Sequence, residues 1–335
     1  MTHCTLLVPD LLPAALREMT ALRPNTPHLS TLLTRGDATT LAASDTDTWL
    51  CAAFGVARRN DWPVAALTLA SDGGDPGNAY WLRCDPVHLY LRQSRMYLSD
   101  ATGAPTHQES ATLVGALNAH FHEDGLLFCA GKAGRCYVRS ETHTDLITRP
   151  LSAALNRDID SVMPTGPDSR HWRRVINEVQ MLLHAHPLNA EREARGLPAF
   201  NSLWLWGGGT APAATGASYS QVWADEPLAR ALALKTAVPA SPLPDHADAV
   251  FNAGGNALVV VTALRDNTPD LESWRQAIEK FEQQWMAPCH AALKAGHLEK
   301  LTLLTPGTPQ GKQFEVTAAH LWRWWRRVKS IAAHA

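Results

Sequence analysis

The chain lacks the marks of several protein classes. Its six cysteines, Cys4, Cys51, Cys84, Cys129, Cys136 and Cys289, stand apart with no C-x-x-C pair. That pattern signals neither a zinc site nor a disulfide framework, and inert thiols in a reducing compartment are expected. No apolar run approaches the roughly 20 residues of a membrane span. There is no basic block: 30 Lys and Arg are spread among 32 Asp and Glu, for a net charge of −2. Nucleic acid is therefore not an expected partner. The first residues carry no basic segment leading into a long apolar stretch, so a cytoplasmic protein without a membrane partner is expected. No internal repeat is visible. What remains, 45% apolar and 19% charged over 335 residues, is the composition of an ordinary globular chain of about two domains.

One stretch stands out, Asn201-Ser-Leu-Trp-Leu-Trp-Gly-Gly-Gly209. Four apolar residues halted by three glycines read as a buried strand entering a turn that needs backbone freedom. Upstream, Trp172, Val175, Ile176, Val179, Leu182 and Leu183 recur at helical spacing over His171 to His184. Together they predict a helix–loop–strand unit with a mouth at the strand's carboxyl end, where open α/β sheets place ligands. Gly207, Gly208 and Gly209 there either present amides to an anion or form a tight turn between core elements. Asn177, Gln180 and His184 make an uncharged polar stripe on the helix, which lines a ligand pocket or faces solvent. Asn189, Glu191 and Arg192 follow as further binding candidates. His120, His122, Glu123 and Asp124 resemble a metal cluster but fit a solvent-facing helix end better.

Elsewhere, strands are predicted at 5–8, 80–83, 87–91, 96–98, 126–129, 135–139, 257–264 and 301–304. Helices are predicted at 11–22, 28–35 (closed by Gly36), 44–54, 105–121, 223–237, 249–253, 271–295 and 318–331. Thr106 and Glu109 form a capping box for the 105–121 helix. Leu321-Trp-Arg-Trp-Trp-Arg-Arg327, with Lys329, is basic and aromatic. Such a segment stacks on bases, lies at a membrane interface, serves as a protein-interaction module, or docks its tryptophans on the core as a closing helix. The docked helix is the expectation.

Several pieces, in order, resemble one family. Pro9-Asp10 after the first strand and Asn25 to Gly36 resemble the opening of the alkaline-phosphatase superfamily, in particular the archaeal type of cofactor-independent phosphoglycerate mutase. Ala43-Ser44-Asp45 looks like the family's G-S-D-x-A segment, and Ala79 to Val87, with Arg83, like a strand of its inserted substrate domain. His186-Pro-Leu-Asn189 and Asn201 to Gly209 are similar to its h-P-x-N and A-N-x-x-W-x-W-G-x-G segments. Asp61-Trp-Pro-Val64, Asn177 to His184 and Asn201 to Gly209 together resemble a bacterial group, the RpfE type, named for regulation of pathogenicity factors. The resemblance implies an alkaline-phosphatase-like α/β core at 1–70 and 168–335, with a mostly parallel sheet, and an inserted α+β domain at 71–167.

It also implies metal positions at Asp10 and Asp266 and a nucleophile at Ser44. Two divalent ions, each held by Asp and His, are what the superfamily's chemistry requires. Here the family's D-E-A-G-H reads Asp266-Asn-Thr-Pro-Asp270, and its D-H-S-T-P reads Leu304-Thr-Pro-Gly-Thr-Pro309. The histidines are missing. The resemblance with these departures implies a degenerate, non-catalytic relative with a regulatory role or a small anionic metabolite bound in a cleft between core and insertion; a protein partner is also compatible, and no cofactor is expected. The alternative is an active mutase or phosphohydrolase with an altered manganese or zinc site and Ser44 as nucleophile.

Overall fold

The computed structural model describes residues 2–13, 16, 24–42, 45–99, 102–142, 144–213, 216–267, 271–307 and 310–335. Its first strands are β1 (His3–Leu7), β2 (Asp37–Leu41), β3 (Tyr80–Val87), β4 (Leu89–Arg92), β5 (Arg95–Leu98), β6 (Leu126–Ala130), β7 (Cys136–Ser140) and β8 (Ser202–Gly209). β9 (Gln221–Ala224), β10 (Ala240–Ser241), β11 (Asn256–Val260), β12 (Lys300–Thr305) and β13 (Gly311–Thr317) follow. The chain divides into two compact units, 1–55 with 215–335, and 56–214.

The first unit is built on a seven-stranded sheet in the order β10-β9-β11-β1-β12-β13-β2. β10, β9, β11, β1 and β12 run parallel, and β13 runs antiparallel to both β12 and β2. This is the mixed α/β class with a mostly parallel sheet that the sequence predicts. Four consecutive residues of β11, Ala257 to Val260, are buried, as a central parallel strand covered on both faces must be. Cys4, Leu6 and Val8 join Trp274, Ile278, Phe281 and Leu293 of the following helices in one core. Each Leu, Ile, Val or Phe side chain among them contributes about 1.5–3 kcal/mol by leaving water.

Several elements depart from expectation. Most of 11–22 lies outside the described residues. Gly36 closes the helix Pro27–Arg35 with extended φ −65° and ψ 168°, not in the left-handed cap conformation. Its constraint is space, since a Cβ there would meet the Leu32 carbonyl and Val316 Cγ2, both at 2.8 Å. Trp223 sits in a strand, and the helix starts only at Pro227, capped by Glu226. The long helix from Leu271 to Ala295 is continuous but widens into a π turn at Glu282–Met286. Glu282 is buried there, accepting hydrogen bonds from the His28 and Leu29 amides at 2.7 and 2.9 Å. It thus caps a helix whose own Thr26 makes no side-chain cap. The closing helix is the largest miss. The chain forms β13 and one helical turn, Ala318–Leu321, and then leaves Trp322, Trp324 and Trp325 exposed.

The second unit holds an antiparallel sheet in the order β6-β7-β3-β8 and a hairpin of β4 and β5. Side chains alternate along β3. Tyr80, Leu82 and Cys84 face the core shared with Leu113, Leu117, Trp172 and Val179, while Trp81 joins Ala65, Ala66 and Leu69. The boundary therefore falls at 55/56 and 214/215, not at 70/71 and 167/168. The helix Ser169–His184 and β8 belong with β3, because β8 pairs with it from Val87↔Ser202 to Trp81↔Gly209. β8 is thus not a parallel core strand, and no ligand mouth follows from its carboxyl end.

Candidate functional site

The candidate residues divide between the two units. In the first unit, β1 pairs in parallel register with both neighbours, Leu7↔Val260 on β11 and Leu7↔Leu304 on β12. The three strands consequently end together. Asp10 lies just past β1, Asp266 lies on the helix Ala263–Asn267 just past β11, and β12 ends in Thr305 before Pro306 and Gly307. β2 ends at Leu41 on the same carboxyl edge, since it runs antiparallel to β13. Asp10 has φ 55°, in the left-handed region where few non-glycine residues sit. Its carbonyl accepts from Trp274 Nε1 at 3.2 Å, which ties the turn to the long helix.

Ser44, Thr308 and Pro309 lie outside the described residues. Beside Ser44, it is Asp45 that caps the helix Thr46–Ala53, its Oδ1 accepting from the Thr48 amide at 2.8 Å. Among the described residues no group of three or more His, Cys, Asp or Glu is placed to hold a metal ion. His120 and His122 instead pair singly, with Glu178 at 3.6 Å and Glu123 at 3.5 Å.

In the second unit the glycine run turns out to be engaged. The Gly207 amide donates to Thr148 Oγ at 2.9 Å. The Gly208 amide donates to the buried carboxylate of Asp61, which also accepts from the Trp62 amide at 2.9 Å and from the Thr148 amide and hydroxyl. The anion facing these amides is therefore the protein's own. Burial still pushes the Asp61 carboxyl up despite the four donors. Close packing accounts for Gly208 and Gly209, and at Gly207 a left-handed φ of 66° adds to it. A Cβ on Gly207 would meet Val64 Cβ at 2.9 Å, one on Gly208 the Tyr80 hydroxyl at 2.2 Å, and one on Gly209 Pro63 Cβ at 2.7 Å.

The asparagines and Arg192 are likewise spoken for. Asn189 Nδ2 donates to the carbonyls of Leu183 and Phe200, and its Oδ1 accepts from the Phe200 amide, all at 2.8 Å. Asn201 brackets Leu89, accepting from its amide at 2.7 Å and donating to its carbonyl at 2.8 Å. Asn201 thereby takes the place of a strand partner for β4, and Asn189 ties the helix end at Leu183 to Phe200, so each amide is engaged in holding backbone. Arg192 is 2% exposed and binds Glu109, the Thr102 carbonyl and the Pro198 carbonyl at 2.8–2.9 Å, with its guanidinium over Phe200. It is a structural clamp. Of the helix stripe, Gln180 reaches Ser202 Oγ at 3.3 Å, while Asn177 and His184 are exposed.

Two buried constellations escaped the sequence. One is Asp61 with Thr148; the only signal was the Asp61-Trp-Pro-Val64 phrase. The other is Arg83, whose guanidinium lies between Tyr137 and Trp206 at 5.3 and 5.2 Å and pairs with Asp85 at 2.5 Å. Trp206 Nε1 donates to the other Asp85 oxygen at 2.7 Å. Two charges two residues apart on a strand point to one face, so that pair was legible in principle.

Part of the chain is similar to archaeal phosphoglycerate mutases. Over 132 residues it is 26% identical to the 2,3-bisphosphoglycerate-independent phosphoglycerate mutase of Methanosarcina mazei, covering 39% of this chain and 32% of that protein. Over 152 residues it is 24% identical to 2,3-bisphosphoglycerate-independent phosphoglycerate mutase 2 of Methanothermobacter thermautotrophicus, covering 45% and 36%. The matches thus span about a third of the relatives' length, and the relationship is distant. No family model matches the chain. The fold is similar to that of the PH0037 protein from Pyrococcus horikoshii, with a TM-score of 0.56 at 14% identity, over 94% of this chain and 87% of that one.

Proposed function

We propose that this chain is a catalytically degenerate relative of the cofactor-independent phosphoglycerate mutases, with a regulatory role that involves a small phosphorylated acid or a protein partner. The observation that carries the proposal is the third position of the carboxyl edge. β1 and β11 lead into Asp10 and Asp266, but β12 runs into Thr305-Pro306-Gly307, which offers neither carboxylate nor imidazole. The described residues do not fit a pair of divalent ions, because each ion needs several charged or imidazole ligands and a fixed geometry to organise phosphoryl transfer. The resemblance to RpfE-type regulatory proteins points the same way.

A phosphorylated acid is favoured by the substrate in the relatives' names, not by the glycine run, whose Gly207 and Gly208 amides are already engaged. Manganese or zinc belongs to the alternative, an active mutase or phosphohydrolase with Ser44 as nucleophile. What favours that alternative is Asp10, held in a left-handed turn at the sheet edge. Metal analysis separates the two. Protein equilibrated with manganese or zinc and then desalted should retain well under one ion per chain, and a stoichiometric pair of ions would favour the enzyme.

A further inference from the structure

The segment Trp322 to Lys329 has no part in the function proposed above. Trp322, Trp324 and Trp325 are 78%, 77% and 65% exposed, and Val328 is exposed beside them. Such exposure means rings that stand off the surface. Tryptophans lining a groove for a peptide would be partly covered by its walls. The backbone beneath them is nevertheless fastened. Arg323 forms a two-pronged pair with Asp37, and Arg326 donates to the Gly36 carbonyl at 2.9 Å. The Arg35 guanidinium holds the Leu321 carbonyl at 2.6 Å, and the Lys329 amide donates to Thr34 Oγ at 3.1 Å. Beyond it, Ile331 is buried in the core.

Charge decides the kind of partner. Residues 317–335 contain no Asp or Glu. Asp37, the acidic residue paired to this segment, is taken by Arg323, with His320 at 3.4 Å and Arg326 at 3.7 Å. Arg327 and Lys329 are exposed and have no carboxylate partner among the described residues. Projecting indole rings flanked by cations match the interfacial zone of an anionic bilayer, where tryptophan prefers the headgroup level and Lys or Arg meets lipid phosphate.

We propose that the face formed by Trp322, Trp324, Trp325, Arg327 and Lys329 docks the protein on an anionic lipid surface. The absence of a long apolar run, from which no membrane partner was expected, bears on spanning a bilayer and not on lying against one. No helix among the described residues is long and apolar enough to cross a membrane, and docking here requires none.

The test is co-sedimentation of the full chain with vesicles at about 0.1 M salt, where charges within about 10 Å still act. Vesicles of phosphatidylcholine and phosphatidylglycerol in equal parts should carry the protein down, and pure phosphatidylcholine vesicles should carry far less. Trp324→Ser with Trp325→Ser should weaken binding at least about tenfold. Arg327→Gln with Lys329→Gln should weaken it about thirtyfold. The altered side chains are exposed, so circular dichroism should be unchanged, and either pair alone decides if the other fails to fold. Failure to sediment, or equal sedimentation of wild type and variants, overturns the proposal. Binding of a single-stranded oligonucleotide by wild type, lost in both variants and without vesicle binding, assigns the face to nucleic acid and also overturns it.

Discussion

Burial alone would push the Glu109 carboxyl up, yet the Thr106 amide, Arg195 and Arg192 together hold it at about 2. Arg195 lies at 2.6 Å and Arg192 at 2.9 Å. Because the folded value lies below the ordinary 4.5, the ionised carboxylate stabilises the fold above about pH 4.5. That contribution fades as the pH falls toward 2. Glu109→Gln leaves Arg192 buried without its counter-charge, which costs about 3–5 kcal/mol. Urea unfolding at neutral pH should show that loss, and the variant's stability should change less than wild type between about pH 4.5 and 2. An unchanged midpoint would mean that Arg192 is adequately held by its two carbonyl partners and Phe200. The capping box half of this constellation was visible in Thr106 and Glu109. The arginine half was not, since 83 residues separate Glu109 from Arg192 and local pattern carries no information at that range.

At the scale of elements, periodicity located most helices and strands, while partnership escaped it. β8 illustrates the difference. Its four apolar residues and glycine stop predict a buried strand, and Leu203 to Trp206 are buried. Its neighbour is β3 in an antiparallel sheet, a fact that no local spacing encodes. The glycines were read as a turn or an anion cradle because flexibility is what glycine announces; Gly207 does use it, at φ 66°, but all three also admit Val64, Tyr80 and Pro63 at close range. Gly208→Ala should therefore destabilise the unit by about 1–3 kcal/mol, as overpacking does. Thermal unfolding measures it, and a neutral substitution would show that the Tyr80 ring moves aside freely. The closing helix failed for a related reason. Alternating tryptophan and arginine satisfies helical spacing on paper, but the Arg323–Asp37 pair and the Arg326 hydrogen bond to the Gly36 carbonyl hold the chain against the Arg35–Asp37 turn instead.

At the scale of the whole molecule, the α/β class was legible, because apolar strand runs alternate with helical spacings along the chain. The division into units was not, because the segment 168–214 leaves one sheet's sequence neighbourhood to complete another. The 56–214 unit has its own four-stranded sheet and its own core. Expressed alone, it should unfold cooperatively with native-like circular dichroism, and a molten fragment would show that its core depends on the rest of the chain. In the other unit, Asp10 and Asp266 follow adjacent strands, and the described residues at the end of β12 offer neither carboxylate nor imidazole. The direct measurement is turnover of 3-phosphoglycerate by full-length protein loaded with manganese or zinc, with Ser44→Ala as the paired control. No turnover above the control is predicted. Turnover by wild type that the alanine variant lacks would contradict the account.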